Sequence, residues 1–253
     1  MKKYLISLER DQARRELFFA QPNTSDFNLF SAINTMQETD ESLQARFDFN
    51  LFEQRYGRKA TKGEIGCTLS HLAIYQQILV DENIKDEDYV LVCEDDALFT
   101  DNFQAKLDAL LPYCEADFIW VGQSKITNFN DSELEINYPI APSFLCKKIE
   151  NTNLTYGLPY KPYFAGTVAY LVRKQAVKKL LNFAKLPFWL ADDYVLFQEQ
   201  LGLVATAVRP LLAIENPQTI SNLSQFRAEK YNNFWMKIAK YPLKKLFAIK
   251  RNM

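Results

Sequence analysis

Glu94, Asp95 and Asp96 stand as three consecutive carboxylates in LVCEDDALF, directly after an apolar run that reads as a buried strand. Like charges repel and are costly to desolvate, so such a cluster needs a cation, a set of donors or open water. Oxygen ligands at a strand end suit a hard divalent ion, Mg2+ or Mn2+, which takes one or two protein carboxylates when phosphate oxygens fill other positions. Glu94 and Asp96 project to the same side of an extended chain, so these two could act together on a metal-bound phosphate ester while Asp95 turns elsewhere. Acidic residues also collect at turns and helix starts, so the triplet alone does not separate a ligand site from a solvated turn.

A second acidic pair, Asp192 and Asp193, lies in WLADDYVLF at the start of an expected helix. It has two readings: carboxylates that oppose the helix dipole, or a general base within reach of a hydroxyl. Trp189, three residues earlier, could offer a sugar a flat face or could belong to the core. His71, the single histidine, sits in a helix whose apolar face includes Leu69 and Leu72, and is open to a structural or a functional role. Arg10, Arg14 and Arg15 follow the first strand, where they could reach a diphosphate or form a solvated face.

These groups must be positioned by an α/β framework. Lys3 to Leu8 reads as a buried strand, followed by a helix from Asp11 to the break at Pro22; Asp26 to Asn34 is a second strand and Glu41 to Gly57 a helix. The helix in TKGEIGCTLSHLAIYQQILVD is well marked, with Thr61 and Glu64 at capping-box spacing and Ile65, Leu69, Leu72 and Leu79 on one face. Tyr89 to Cys93 is apolar on both faces and so central in a sheet; a helix from Asp101 to Leu111 and a strand from Asp117 to Gly122 complete a doubly wound pattern. Ligands of such sheets bind beyond the strands' carboxyl ends, where Glu94 to Asp96 and Gln123-Ser124 would lie. Residues 125–163 read as irregular hairpins and loops, GTVAYLV as a strand, and the segment from Lys174 to Pro187 as a helix. The tail from Ser224 is a basic amphipathic helix interrupted at Pro242.

With 253 residues and 48% hydrophobic content, the chain can bury a substantial core. We read it as one domain in three stretches, 1–124, 125–223 and a helical tail (224–253). Its 30 basic and 31 acidic residues leave no field that demands nucleic acid. Seven basic and no acidic residues fall after 229, so the tail could rest on an anionic inner-membrane surface or pack on the domain. Four widely spaced cysteines read as reduced thiols, and the apolar part of MKKYLISLERD is too short for a signal-peptide core. No stretch reaches the ~20 apolar residues that span a bilayer. A cytoplasmic protein, peripheral at most to the inner membrane, is expected. The sequence has no G-x-x-x-x-G-K-[ST] loop, which demotes another Mg2+- or Mn2+-dependent phosphoryl-transfer class. A non-catalytic saccharide-binding relative stays open.

In order, KKYLISLERD, KGEIGCTLSHLAIYQ, VLVCEDDALF, FAGTVAYLV and WLADDYVLF resemble glycosyltransferase family 25, the bacterial lipopolysaccharide and lipooligosaccharide sugar transferases. The resemblance extends to about Pro217. It implies a GT-A-like nucleotide-sugar-binding sheet with helices on both faces, an irregular acceptor-binding region, and inversion at the anomeric carbon. It implies UDP-galactose or UDP-glucose as donor and a lipooligosaccharide core as acceptor. Carried onto this chain, Asp96 would bind Mn2+ (or Mg2+) bridging the diphosphate, with Glu94 on the ion or the ribose and Asp95 beside them. Either Asp192 or Asp193 would be the base. Ser7, Arg10, Arg14, His71, Gln123 and Ser124 are expected around the donor, and Gly166, Thr167 and Trp189 around the acceptor.

Overall fold

The computed structural model describes residues 1–126, 128–130, 132–162, 166–219 and 234–253. The opening follows the strand-then-helix expectation, with β1 (Lys3–Ser7), α1 (Gln12–Phe19) and a short β2 (Asn28–Ser31). The helix expected over 41–57 is two pieces, α2 (Asp40–Gln44) and α3 (Phe49–Tyr56). Asp48 makes the break: its backbone is extended and its side chain accepts from Leu51 N, so it caps α3 rather than continuing α2.

Helix α4 (Lys62–Val80) begins at the anticipated capping box, with Thr61 accepting from Glu64 N and Glu64 accepting from Thr61 N. It leads to β3 (Tyr89–Glu94), β4 (Ala97–Phe99), α5 (Phe103–Leu110), β5 (Phe118–Trp120) and β6 (Gly122–Gln123). Among its described residues the irregular stretch carries only α6 (Ser132–Asn137), β7 (Lys147–Lys148) and β8 (Thr155–Gly157). Regular structure resumes in β9 (Ala169–Arg173), α7 (Lys174–Leu181), α8 (Tyr194–Leu201), β10 (Ala205–Arg209) and β11 (Ala213–Glu215), and α9 (Phe234–Asn252) ends the chain.

The main sheet has the order β2-β1-β3-β9-β5-β10-β8-β7, and a small one has the order β4-β11-β6. Alternate residues of the main strands feed two cores. Tyr4, Val90, Val92 and Tyr170 pack with Ile74, Val177 and Phe197 of α4, α7 and α8; Leu5, Leu91, Cys93 and Leu171 pack with Phe18 and Leu107 of α1 and α5. The fold is thus an α/β sheet with helices on both faces, and β3, buried along its first five residues, is central as expected.

The sheet departs from a parallel doubly wound pattern at one strand that matters for the site. β9 lies between β3 and β5 and runs antiparallel to both. An apolar run does not encode strand direction, so the sequence pattern could not reveal it. Its amino end therefore meets the carboxyl end of β3, where Glu94 N donates to Val168 O at 3.1 Å. Residues 166–168 are delivered to the acidic triplet by this reversal.

Helix α9 runs straight through Pro242 instead of stopping there. Proline inside a helix removes one hydrogen bond and crowds the preceding turn, costing about 3 kcal/mol. Both halves are held to the body: Lys237 pairs with Glu133 at 3.1 Å and Lys245 with Glu135 at 2.5 Å, while Asn252 Oδ1 accepts from Leu158 N at 2.8 Å. The first part of the expected tail, residues 224–233, lies outside the described residues.

Candidate active site

Glu94 ends β3 and the chain turns at Asp95 and Asp96 before β4, so strand alternation does not extend through the triplet. Asp95, expected to turn elsewhere, shares a cation with Asp96 instead. Asp95 Oδ2 accepts from Ser7 Oγ, at the end of β1, at 2.6 Å. Arg14 Nη2 lies 2.9 Å from Asp95 Oδ1 and 2.7 Å from Asp96 Oδ2, so one guanidinium spans both carboxylates. Glu94 has its own partners: Oε1 accepts from Thr167 Oγ1 and stands 3.4 Å from His71 Nε2 and 3.9 Å from Cys67 Sγ.

The electrostatics follow from this division. Burial pushes Asp96 up to about 8, with Glu94, Glu215 and Asp95 adding to the rise and Arg14 opposing it. Burial also lifts Asp95 to about 6 against the pull of Arg14 and Ser7. Glu94 is held below the ordinary carboxylate range, because the hydrogen bonds from His71 and Thr167 and the charge of Arg14 together outweigh its burial. Asp96 Oδ1 is buried with no hydrogen-bond partner among the described residues. An orphaned oxygen in a patch where carboxylates outnumber cations fits a hard divalent ion; Asp96 and Glu94 would hold it, with Arg14 already neutralising part of the charge.

The second acidic pair separates into two environments. Asp193 is buried, caps α8 by accepting from Leu196 N at 3.0 Å, and takes Arg55 Nε at 2.5 Å and Tyr56 Oη at 2.5 Å. Tyr56 Oη also accepts from Leu190 N at 3.1 Å, and Thr68 Oγ1 donates to Trp189 O at 2.8 Å, so α3 and α4 pin the whole segment. Asp192 is half-buried, and its Oδ2 accepts from Gly166 N at 2.7 Å. Gly166 and Thr167 thus join the two acidic groups: the first touches Asp192 and the second touches Glu94.

That junction requires glycine. Gly166 has φ 84°, and a Cβ there would lie 1.8 Å from Ser124 Oγ. Gln123, at the end of β6, is buried beside it in sequence. Two expected residues stand apart from the cluster. Arg10 is exposed and approaches Asp11, its Nε 3.8 Å from Oδ1. Trp189 is 3% exposed and packs edge-on against Phe188 and Phe197, so its ring belongs to the core and turns no flat face to a sugar.

Several residues of the site carried no sequence signal on their own. Arg55 and Tyr56 lie on α3, far from Asp193 in sequence, and nothing local marks them as its partners. Glu215, which raises Asp96, and Asn216, whose N donates to Asp96 O at 2.6 Å, arrive from β11. Cys67 reads as an ordinary thiol, although its spacing of four from His71 places both on one helix face.

Residues 1–196 match the family described as Glycosyltransferase family 25 (LPS biosynthesis protein). The chain belongs to glycosyltransferase family 25. Among curated relatives it is 29% identical to the human Inactive glycosyltransferase 25 family member 3, over 62% of this chain and 26% of that protein. It is 27% identical to Procollagen galactosyltransferase 1-A of Xenopus laevis, over 75% of this chain and 29% of that one. The chain therefore spans between a quarter and a third of either relative. Among solved structures, S. aureus TarS in complex with UDP-GlcNAc aligns with a TM-score of 0.45 at 11% identity, over 96% of this chain and 66% of that chain.

The raised Asp96 makes this family member's stability depend on pH. The folded chain keeps a proton on Asp96 that the unfolded chain releases near pH 4, so this contribution is complete below about pH 4 and is lost as pH rises through about 8. Urea midpoints of the metal-free protein are expected to fall between about pH 5 and about pH 8, and Asp96→Asn to flatten that slope; an equally steep slope in the variant would contradict the assignment.

Proposed function

We propose that this chain is an inverting hexosyltransferase that moves galactose or glucose from a UDP-sugar to a lipooligosaccharide core saccharide. The observation that supports it is the Gly166-Thr167 dipeptide, which ties a donor-type acidic cluster to a half-buried aspartate. In this reading Asp96 and Glu94 hold a divalent ion, Mn2+ or Mg2+, which when bound neutralises charge on the departing diphosphate. Asp95, already held by Ser7 and Arg14, fixes the guanidinium in place. Gln123 and Ser124 border the donor at the end of β6.

Asp192 is the base. Its carboxylate takes the proton of an acceptor hydroxyl, whose oxygen attacks the anomeric carbon from the face opposite the diphosphate. The new glycosidic C–O bond forms as the bond to the diphosphate oxygen breaks, and UDP leaves with that electron pair. The Gly166 N–H keeps the base aimed. Asp193, with Arg55, Tyr56 and a helix cap on its oxygens, positions the segment instead of accepting the proton. The human relative, named as an inactive member of the family, favours a second reading in which the chain binds a saccharide without turnover.

Helix α9 supports a membrane location for this reaction. Its basic side chains Lys237, Lys244 and Lys245 turn inward onto α6, whereas Met236, Leu243, Leu246 and Phe247 are each at least half exposed. A surface helix ordinarily has the opposite polarity. An outward apolar stripe flanked by exposed Lys240 and Lys250 suits the interface of an anionic bilayer, at the cytoplasmic face where a lipid-anchored acceptor would be reached.

Incubation with UDP-galactose and UDP-glucose plus truncated lipooligosaccharide acceptors, read by product mass and anomeric configuration, tests the reaction. Asp192→Asn is expected to lower turnover by roughly 100- to 10,000-fold, with the product inverted in the wild type. A retained configuration, or normal turnover in Asp192→Asn, would overturn the mechanism, and binding of acceptor without any transfer would favour the second reading. For the tail, sedimentation with phosphatidylglycerol vesicles is expected to drop at least tenfold on Leu243→Ser with Phe247→Ser. Unchanged sedimentation would remove the membrane role.

A further inference from the structure

The block GEIGC-x-x-SH on α4 contains two adjacent helical stripes, and the donor reading uses neither fully. Gly66 and Ser70 form the first. A Cβ at Gly66 would lie 2.7 Å from Thr35 Oγ1 and 2.8 Å from Ile33 O, while Ser70 Oγ accepts from Ile33 N at 2.8 Å and donates to Gly66 O at 2.6 Å. This stripe presses α4 against the chain after β2 and fixes its rotation. Cys67 and His71, one residue on, form the second stripe and face the end of β3.

Cys67 Sγ, His71 Nε2 and Glu94 Oε1 all lie within 4.8 Å of one another. The His71–Glu94 separation is 3.4 Å and the Cys67–Glu94 separation 3.9 Å, spacings close to those of ligand atoms around one tetrahedral ion. The other side of the imidazole is held as well. His71 Nδ1 is 2.7 Å from Tyr170 Oη, which is 2.8 Å from Tyr75 Oη. In the tautomer that donates Nδ1–H to Tyr170, Nε2 presents its lone pair toward Glu94, as a metal ligand must. An imidazole nitrogen and a carboxylate oxygen that face one another are joined by a proton or a metal, and an outer hydroxyl on the far nitrogen is how metal-ligating histidines are oriented.

We propose that Cys67, His71 and Glu94 form a second site, for a borderline divalent cation, Zn2+ in class, beside the hard-cation position at Asp96 and sharing the Glu94 carboxylate with it. A thiolate, an imidazole and one carboxylate are the ligand set of such an ion, and not of Mg2+. On binding, the Cys67 S–H bond breaks, its proton passes to solvent and the sulfur lone pair enters the metal's coordination shell. Three protein ligands leave a fourth position, adjoining Thr167. The ion would clamp α4 to the end of β3 and fix Glu94.

Metal-free full-length protein titrated with Co2+ tests this without any sugar. A stoichiometric thiolate-to-cobalt charge-transfer band is expected, displaced by one equivalent of Zn2+. Cys67→Ser should abolish the band, and Cys114→Ser and Asp96→Asn should keep it. Tyr170→Phe, which keeps the ring, should weaken Co2+ binding by about ten- to a hundredfold while the band survives. No band in the wild type, a band that persists in Cys67→Ser, or unchanged affinity in Tyr170→Phe would each overturn the site. The readout is independent of transfer, so an inactive enzyme with an intact band would count against the proposed reaction alone.

Discussion

One guanidinium shared between two buried carboxylates organises the end of β3. Asp95 and Asp96 are 5% and 8% exposed, too little for water to stabilise both charges. Arg14 enters from α1 and bonds both, and Ser7 completes Asp95 from β1. The first β-α unit is therefore locked to the central strand by charge as well as by the apolar contacts of Phe18. Removing one partner of a buried pair generally costs about 3–5 kcal/mol, because the other charge is stranded. One guanidinium does not balance the whole patch: burial and the neighbouring carboxylates keep a proton on Asp96, and its Oδ1 has no hydrogen-bond partner among the described residues.

The reversal of β9 converts that electrostatic feature into a site. A parallel strand between β3 and β5 would have brought a carboxyl end to Glu94. The antiparallel strand brings Gly166 and Thr167, whose backbone N–H and side-chain hydroxyl reach Asp192 and Glu94 respectively. Gly166 can sit so close to Ser124 only because it has no Cβ. Meanwhile Asp193, Arg55 and Tyr56 form a latch that holds the segment 189–193 against α3. Of two adjacent aspartates, one is consumed in placing the other.

Much of this was legible in the residues. The buried strand before the triplet, the Thr61–Glu64 capping box and the acidic helix start at Asp193 each have a local signature, and five ordered blocks identify the family. What stayed hidden depends on contacts between distant parts of the chain. Arg14 precedes Asp96 by 82 residues, and nothing local says that it turns onto the carboxylates rather than toward a diphosphate. The antiparallel sense of β9 and the arrival of Glu215 beside Asp96 are likewise topological. Trp189 was ambiguous because an aromatic side chain looks the same in a core and beside a sugar. The polarity of α9 is equally non-local: its lysines all read as available for a surface, but Glu133 and Glu135 of α6 take Lys237 and Lys245, and the Ile136 carbonyl takes Lys244.

The central proposal is that Asp96, giving up its proton, receives the divalent ion that accompanies the donor's diphosphate. Calorimetric titration of UDP into the wild type and into Asp96→Asn, each with and without Mn2+, tests it most directly. The account requires Mn2+ to tighten UDP binding at least tenfold, about 1.4 kcal/mol, in the wild type and to have no effect in the variant. Equal tightening in both proteins, or UDP binding indifferent to Mn2+ in the wild type, would contradict it.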